Sequence, residues 1–267
     1  MKGNTVRSKA LRKSALLLVA TLPLFGAPGC DQPRVACVTG RGDFAAKYTL
    51  KNGSGACAGL KGDVVGVQSY NASNGDRPNL DAISIALRAA SLGDLVQHAE
   101  DQGLTDTTSG HKPYAGGNFS TAVPGNDDFC AVPTLTPAEQ DLPLVPAIPP
   151  DPTVPNDPGT PEQPATSVKY AWSNVRVYVT AAATGTQFAA DLEYTQDGCT
   201  AQYHVVALYP SVGCADANGN PSSALCSPDA NPDAGIAIGS GINPDFPVVC
   251  DPDLLLCVLA GEPPALR

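Results

Sequence analysis

From Gly42 to Lys51 apolar and polar side chains alternate, with Phe44, Ala46, Tyr48 and Leu50 on one face and Asp43, Lys47, Thr49 and Lys51 on the other. A period of two sends successive side chains to opposite faces of an extended chain, so this stretch predicts a half-buried strand that ends at the turn residues Asn52-Gly53-Ser54-Gly55. Asp63 to Tyr70 predicts a second, valine-rich strand, stopped by the polar run Asn71 to Pro78. Ile83, Ile85 and Leu87 keep the period and predict a strand over 82–88. Leu92, Leu95, Val96 and Ala99 then switch to helical spacing. Ser91 and Asp94 fit a capping box and Gly103 fits a helix stop, which predicts one short helix over 92–102.

The second half is patterned more sharply. Val175, Val177 and Val179 alternate with Arg176, Tyr178 and Thr180, predicting a strand over 168–181. Phe188, Ala190, Leu192 and Tyr194 alternate up to Asp197-Gly198, and Ala201, Tyr203, Val205 and Ala207 alternate beyond it. A two-residue type I′ turn at Asp197-Gly198 pairs positions whose numbers sum to 395. Leu192 then faces Tyr203, Tyr194 faces Ala201, and both apolar faces coincide, which a one-residue slip would destroy. Near the end, Pro247 to Cys250 and Leu254 to Leu259 flank Asp251-Pro252-Asp253 as a final hairpin. Strands with a single helix predict a mainly β protein: a disulfide-stapled, antiparallel, sandwich-like unit.

Between these halves the pattern fades. Residues 103–130 are turn-rich, and 132–164 are proline-dense, which predicts an extended, polyproline-like strap or linker. The expected organisation is a removed signal over 1–29, a β-rich half with the helix over 30–131, the proline segment over 132–164, and an antiparallel β half over 165–261.

Lys2, Arg7, Lys9, Arg12 and Lys13 precede an apolar run from Ala15 to Leu24, too short to span a hydrocarbon core of about 30 Å as a permanent helix. The run leads to Ala27-Pro28-Gly29-Cys30, which resembles the lipobox of bacterial lipoproteins processed by signal peptidase II. The resemblance covers about the first thirty residues and implies cleavage before Cys30 and a lipid on its sulfur. Ordinary signal-peptidase-I cleavage, with Ala27 and Gly29 at the two small-residue positions, is the other reading of the same stretch.

The cysteine count bears on that choice. Of nine cysteines, setting Cys30 aside leaves Cys37, Cys57, Cys130, Cys199, Cys214, Cys226, Cys250 and Cys257, an even set suited to disulfides in an oxidising compartment. Three precede the proline segment and five follow it, so complete pairing requires at least one bond between the halves. A bond from Cys130 would pin the strap at its start.

All 26 acidic residues lie beyond Cys30, and five of the sixteen basic ones precede it, so the mature chain carries 11 basic against 26 acidic residues, net −15. Such a surface argues against nucleic acid and against electrostatic docking on anionic lipid, both of which need clustered Lys and Arg.

Candidate chemistry is sparse. In the predicted hairpin His204 falls opposite Asp191, a cross-strand polar pair that lacks any nucleophile elbow. His98 belongs to the helix and His111 to a loop, and neither has a second ligand at zinc spacing. Gly40-Arg41-Gly42-Asp43-Phe44-Ala45 imitates a dinucleotide fingerprint but leads into a strand rather than a helix. Ser240, between Gly239 and Gly241, reads as a bend. Asp216, Asn218 and Asn220, and again Asp229, Asn231 and Asp233, repeat the spacing of calcium-loop oxygens without the bidentate Glu, a weak calcium signal.

These features predict no catalysis and no cofactor beyond that calcium signal. They describe a lipid-anchored protein of the bacterial envelope, at the outer membrane or cell surface, that binds a protein or glycan partner. A carboxylate-dependent hydrolase and a calcium-dependent adhesin are the alternatives.

Overall fold

The computed structural model describes residues 35–232 and 236–267. The signal segment, Cys30 and Asp233 lie outside them. Eleven strands and one α-helix follow in order: β1 (Gly42–Gly53), β2 (Gly62–Asn74), β3 (Arg77–Ala89), α1 (Ala90–Asp101), β4 (Ala115–Asn118), β5 (Phe129–Thr136), β6 (Ala138–Leu142), β7 (Thr166–Val179), β8 (Thr184–Gln196), β9 (Cys199–Leu208), β10 (Val248–Asp251) and β11 (Leu256–Leu259). The mainly β, antiparallel, disulfide-stapled fold with one helix is the one the patterning predicts.

The sheet closes on itself. Each of β1 to β4 pairs with its successor, β7 to β9 form a meander, β9 pairs back to β1, and β5 and β6 both pair with β7. The result is an up-and-down barrel rather than two facing sheets, and closure removes the open edges that would otherwise invite pairing with other chains. Period-two patterning is the same in a sandwich and a barrel, so it does not distinguish them.

The β8–β9 hairpin has the predicted register: Leu192 pairs with Tyr203, Tyr194 with Ala201 and Asp191 with His204. Asp197 and Gly198 adopt φ 50° and 82°, the left-handed pair that a type I′ turn demands. Phe44, Tyr48, Trp172, Phe188, Leu192 and Tyr203 are buried in the barrel interior. It is a packed core, as expected of a barrel of this strand number.

Two expectations need correction, and the open choice of partner for Cys130 falls on Cys37. Asn71 to Pro78 does not stop the second strand. β2 and β3 run on to a two-residue turn at Gly75-Asp76, with a register shift after Asn71 that absorbs the polar run. The capping box is not formed: Ala89 caps α1 without a side-chain bond, and Ser91 sits inside the first turn. Cys130 does not carry the bond between the halves.

The proline segment is a hairpin. β6–β7 pairs such as Ala138↔Tyr170 have numbers that sum to 308, and the same register continues through the bridges Val145↔Gln163 and Ile148↔Thr160. The β5–β7 pairs sum to 307, so one extra residue enters around Pro137, where a missing N–H makes a bulge tolerable.

The disulfides are Cys37–Cys130, Cys57–Cys199, Cys214–Cys250 and Cys226–Cys257, with Cα separations of 5.6–5.8 Å. Cys57–Cys199 alone of the four joins the residues before the proline hairpin to those after it. Beyond β9 the chain forms a lobe on the outer barrel wall. Phe129, Tyr178 and Leu208 alternate with interior-facing Cys130, Val177 and Ala207, and they pack with Ile242, Phe246 and Leu259 of the lobe.

Candidate functional site

Alternating strand directions sort the connections between two ends. The loop after β1, helix α1, the proline hairpin and the Asp197-Gly198 turn share the upper end. The entry into β1, the β2–β3 turn and the segment before β5 share the lower end.

At the upper end a cleft of about 570 Å³ lies between the loop after α1 and the facing ends of β6 and β7, with Thr105, Asp106, Thr108, Asp141, Ser167 and Asp197 among its walls. Asp106 organises it. Its Oδ2 accepts the Asp141 N–H at 2.8 Å and His111 Nδ1–H at 2.8 Å, and its Oδ1 accepts the Thr108 N–H at 2.7 Å. Burial pushes the Asp106 carboxyl up, but the hydrogen bonds from Asp141, Thr108 and His111 outweigh it and hold it below the usual carboxylate range. Asp141 Oδ2 lies 3.8 Å from His111 Nδ1, and Glu139 Oε1 lies 3.8 Å from Nε2. Lys169 approaches Glu139 at 3.5 Å. Asp197 accepts the Ser167 N–H at 2.8 Å, fixing the hairpin turn against β7.

The imidazole of His111 is thus ringed by carboxylates, and its Nε2 faces Glu139 rather than a hydroxyl. This is an arrangement for holding a loop and attracting cationic or hydroxyl-bearing groups, not one for activating a nucleophile. Sequence patterning missed it because Asp106 and His111 fall in the weakly patterned region and Asp141 in the proline-dense one. Asp106 followed two residues later by Thr108 was the one local signal, an Asx-type turn.

Next to α1, Ser91 Oγ donates to Asp63 Oδ2 at 2.5 Å and lies 2.8 Å from the Tyr170 hydroxyl. Its single proton is committed to the carboxylate, so the Tyr170 hydroxyl donates to Ser91. Burial raises the Asp63 carboxyl, the Ser91 hydrogen bonds oppose that rise, and nearby Asp94 adds to it. Burial likewise raises the Tyr170 phenol. The chain Asp63–Ser91–Tyr170 ties the helix start to β2 and β7. His98 Nδ1 meets Gln163 Oε1 at 3.0 Å, and Gln163 Nε2 donates to the Leu95 carbonyl at 3.3 Å, tying the proline hairpin to the same helix.

His204 lies on the outer wall, its Nδ1 3.9 Å from Asp191, while its Nε2 meets both Glu262 oxygens at 2.9 Å. Asp191 also accepts from Asn174 Nδ2 at 2.9 Å and Lys51 Nζ at 3.0 Å, and Asn174 first, then Lys51, hold its carboxyl low. This is the expected cross-strand pair enlarged into a polar ladder.

Asp216 turns its Oδ1 onto the N–H groups of Asn218 and Asn220, at 2.8 and 2.9 Å, closing its own loop. Asn231, two residues after Asp229, forms an antiparallel bridge with Ile236. The Ser240 hydroxyl donates to the Cys226 carbonyl at 3.3 Å and accepts the Ile242 N–H at 3.2 Å. The sulfurs of Cys214, Cys226 and Cys257 lie within 4.8 Å of one another, but each is consumed in a disulfide.

A family model described as MlpA matches residues 42–210. The chain belongs to the MlpA family. The matched region runs from the first residue of β1 to just past β9, so the MlpA model describes the barrel. A protein of Myxococcus xanthus described as "Putative lipoprotein MlpA" is 28% identical over 274 residues, covering 97% of this chain and all of that protein. That alignment takes in the lobe after β9 as well as the MlpA barrel. No solved structure matches the chain significantly. Among the described residues no helix is long and apolar enough to cross a membrane.

Proposed function

We propose that this MlpA-family chain is an envelope protein anchored by a lipid on Cys30, working as a binding and display module rather than as a catalyst. The observation that carries the reading is the cysteine balance. Eight of the nine cysteines are bonded to one another, so Cys30, directly after Gly29 at the end of the export signal, has no disulfide partner left in the chain. A thioether to diacylglycerol gives that sulfur a use, and the description of the Myxococcus xanthus relative agrees with it.

The chain enters the barrel at its lower end, at Val35, five residues after Cys30. Fully extended, those five residues span at most about 18 Å, so an acylated Cys30 keeps the lower end near the bilayer and leaves the upper end facing outward. The upper end carries the acidic, hydroxyl-lined cleft and the proline hairpin, on which Leu144, Ile148 and Val154 are exposed. A protein or glycan partner suits these surfaces, and the net negative charge speaks against nucleic acid. Outer-membrane or cell-surface placement fits a protein stapled four times.

Intact mass and detergent partitioning test the anchor. The mature wild type is expected to lack residues 1–29, to carry the added mass of its acyl chains and to enter the detergent phase, and Cys30→Ser is expected to do none of these. Equal mature mass and equal partitioning for the two proteins would overturn the reading.

A further inference from the structure

The segment between Val35 and Arg41 lies across the lower mouth of the barrel. Cys37 donates its N–H to the Ala122 carbonyl at 2.9 Å, Thr39 donates to Ser69 Oγ at 3.1 Å, and Gly40 donates to the Gly185 carbonyl at 2.8 Å. Val35, Ala36 and Val38 pack against the interior core, while Cys37 and Cys130 are fully buried. Ser69 belongs to β2, Cys130 to β5 and Gly185 to β8, strands distributed around the barrel wall. Contact with β8 is close enough that a Cβ on Gly185, itself at φ 69°, would stand 2.1 Å from the Val38 carbonyl oxygen.

We propose that residues 35–41 form a plug that seals the lower mouth, and that Cys37–Cys130 is its clasp, dividing any pull from the N-terminal tether between β1 and β5. The peptide route enters the wall at Gly42, and the sulfur route enters it at Cys130. Without the clasp, tension would fall on β1 alone and lift the plug hydrogen bond by hydrogen bond, since its three bonds reach three different parts of the rim. The membrane as source of that pull rests on the acylation of Cys30 proposed above. The plug itself does not.

Hydrogen exchange of the full mature protein, measured by mass spectrometry, tests the clasp. In the wild type the amides of Cys37, Thr39 and Gly40 are expected to be protected. In Cys37→Ala/Cys130→Ala they are expected to exchange about tenfold faster or more, corresponding to roughly 1.4 kcal/mol of lost local stability, while β7–β9 keep their protection. Gly185→Ala retains both cysteines and is expected to expose the same amides by unseating Val38. Unchanged protection of 35–41 in the double variant would overturn the clasp, as would equal loss throughout the barrel, which would make the bond a general staple. A Cys30→Ser background is expected to give the same pattern, so failure of the anchor and failure of the clasp are separately visible.

Discussion

Gln187 and Ala265 exchange two hydrogen bonds: the Gln187 side-chain amide donates to the Ala265 carbonyl at 3.0 Å, and the Ala265 N–H donates back to Gln187 Oε1 at 2.9 Å. Gln187 is fully buried on the outer face of β8, opposite Leu208, so this amide is the clip that holds the C-terminal tail against the barrel. Gln187→Leu removes both partners of Ala265 and leaves its N–H and carbonyl without acceptor or donor, a loss of about 1–3 kcal/mol. At about 2–4 °C per kcal/mol for a protein of this size, thermal unfolding followed by circular dichroism resolves it. Unchanged melting would mean that Ala265 packing and the bond from the Arg267 N–H to the Asp245 carbonyl hold the tail without the clip.

A second clip works through charge. Lys47 of β1 meets Asp251 of the β10–β11 hairpin at 2.8 Å, and Asp251 also accepts the N–H groups of Asp253 and Leu254. Burial raises the Asp251 carboxyl, but Lys47 and the turn amides outweigh it and hold it low. A carboxyl held lower in the folded than in the unfolded chain contributes stability above its unfolded pKa and loses it as pH falls through the folded one. Asp251→Ala is expected to lower stability by about 2–3 kcal/mol near neutral pH and by progressively less in acid. Urea unfolding at two pH values measures the difference, and a gap that does not shrink in acid would assign the effect to packing.

Asp63 behaves in the opposite sense. Its carboxyl is raised by burial, so the folded chain binds that proton more tightly than the unfolded one. Its contribution is therefore greatest below the unfolded pKa and is lost as pH rises through the folded one. Asp63→Asn keeps an acceptor for Ser91 and removes the buried charge. It is expected to be more stable than wild type near neutral pH and to lose that advantage in acid, where wild type is also neutral. A variant weaker at neutral pH would show that the ionised bond from Ser91 outweighs the cost of burial.

These clips explain how much of the protein could be read in advance. Leu192 faces Tyr203 because Asp197-Gly198 permits one register, a local fact written in adjacent residues. Closure depends instead on β5 meeting β7, which no alternation encodes, and on short strands such as β4, where Ala115 to Asn118 offers too few side chains for a period. Ser91 shows the same limit. Its capping pattern is correct in spacing, yet the hydroxyl is drawn to Asp63 and Tyr170, which come from strands distant in sequence. The Asp106–His111–Asp141 cluster shows only its Asp106-Thr108 turn locally, because Asp141 reaches that loop from β6, 35 residues away in sequence.

Cysteine parity requires a bond between the halves, and Cys57–Cys199 is that bond. Non-reducing peptide mapping is expected to recover the four pairs described above. Cys57→Ala/Cys199→Ala is expected to cost about 2–5 kcal/mol, because the bond closes a loop of 142 residues in the unfolded chain. The barrel is expected to stay closed, since β1–β9 and β5–β7 pairing persists without it. Loss of the native circular dichroism spectrum at room temperature would show that pairing alone cannot hold the halves together.

Within the upper cleft, Asp106 and Asp141 carry the same charge but different duties. Asp106 is nearly enclosed, its side chain 3% exposed, and serves three donors, whereas the Asp141 side chain is 47% exposed and its carboxylate contacts are long. Asp106→Ala orphans the Asp141 N–H, the Thr108 N–H and His111 Nδ1, with an expected cost of about 2–3 kcal/mol and faster amide exchange over residues 104–112. Asp141→Ala is expected to cost less than about 0.5 kcal/mol, the range of an ordinary surface change. Equal costs would mean that the cluster acts as pooled charge. The expected inequality makes Asp106 the scaffold of the cleft and leaves Asp141 as the carboxylate available to an arriving partner.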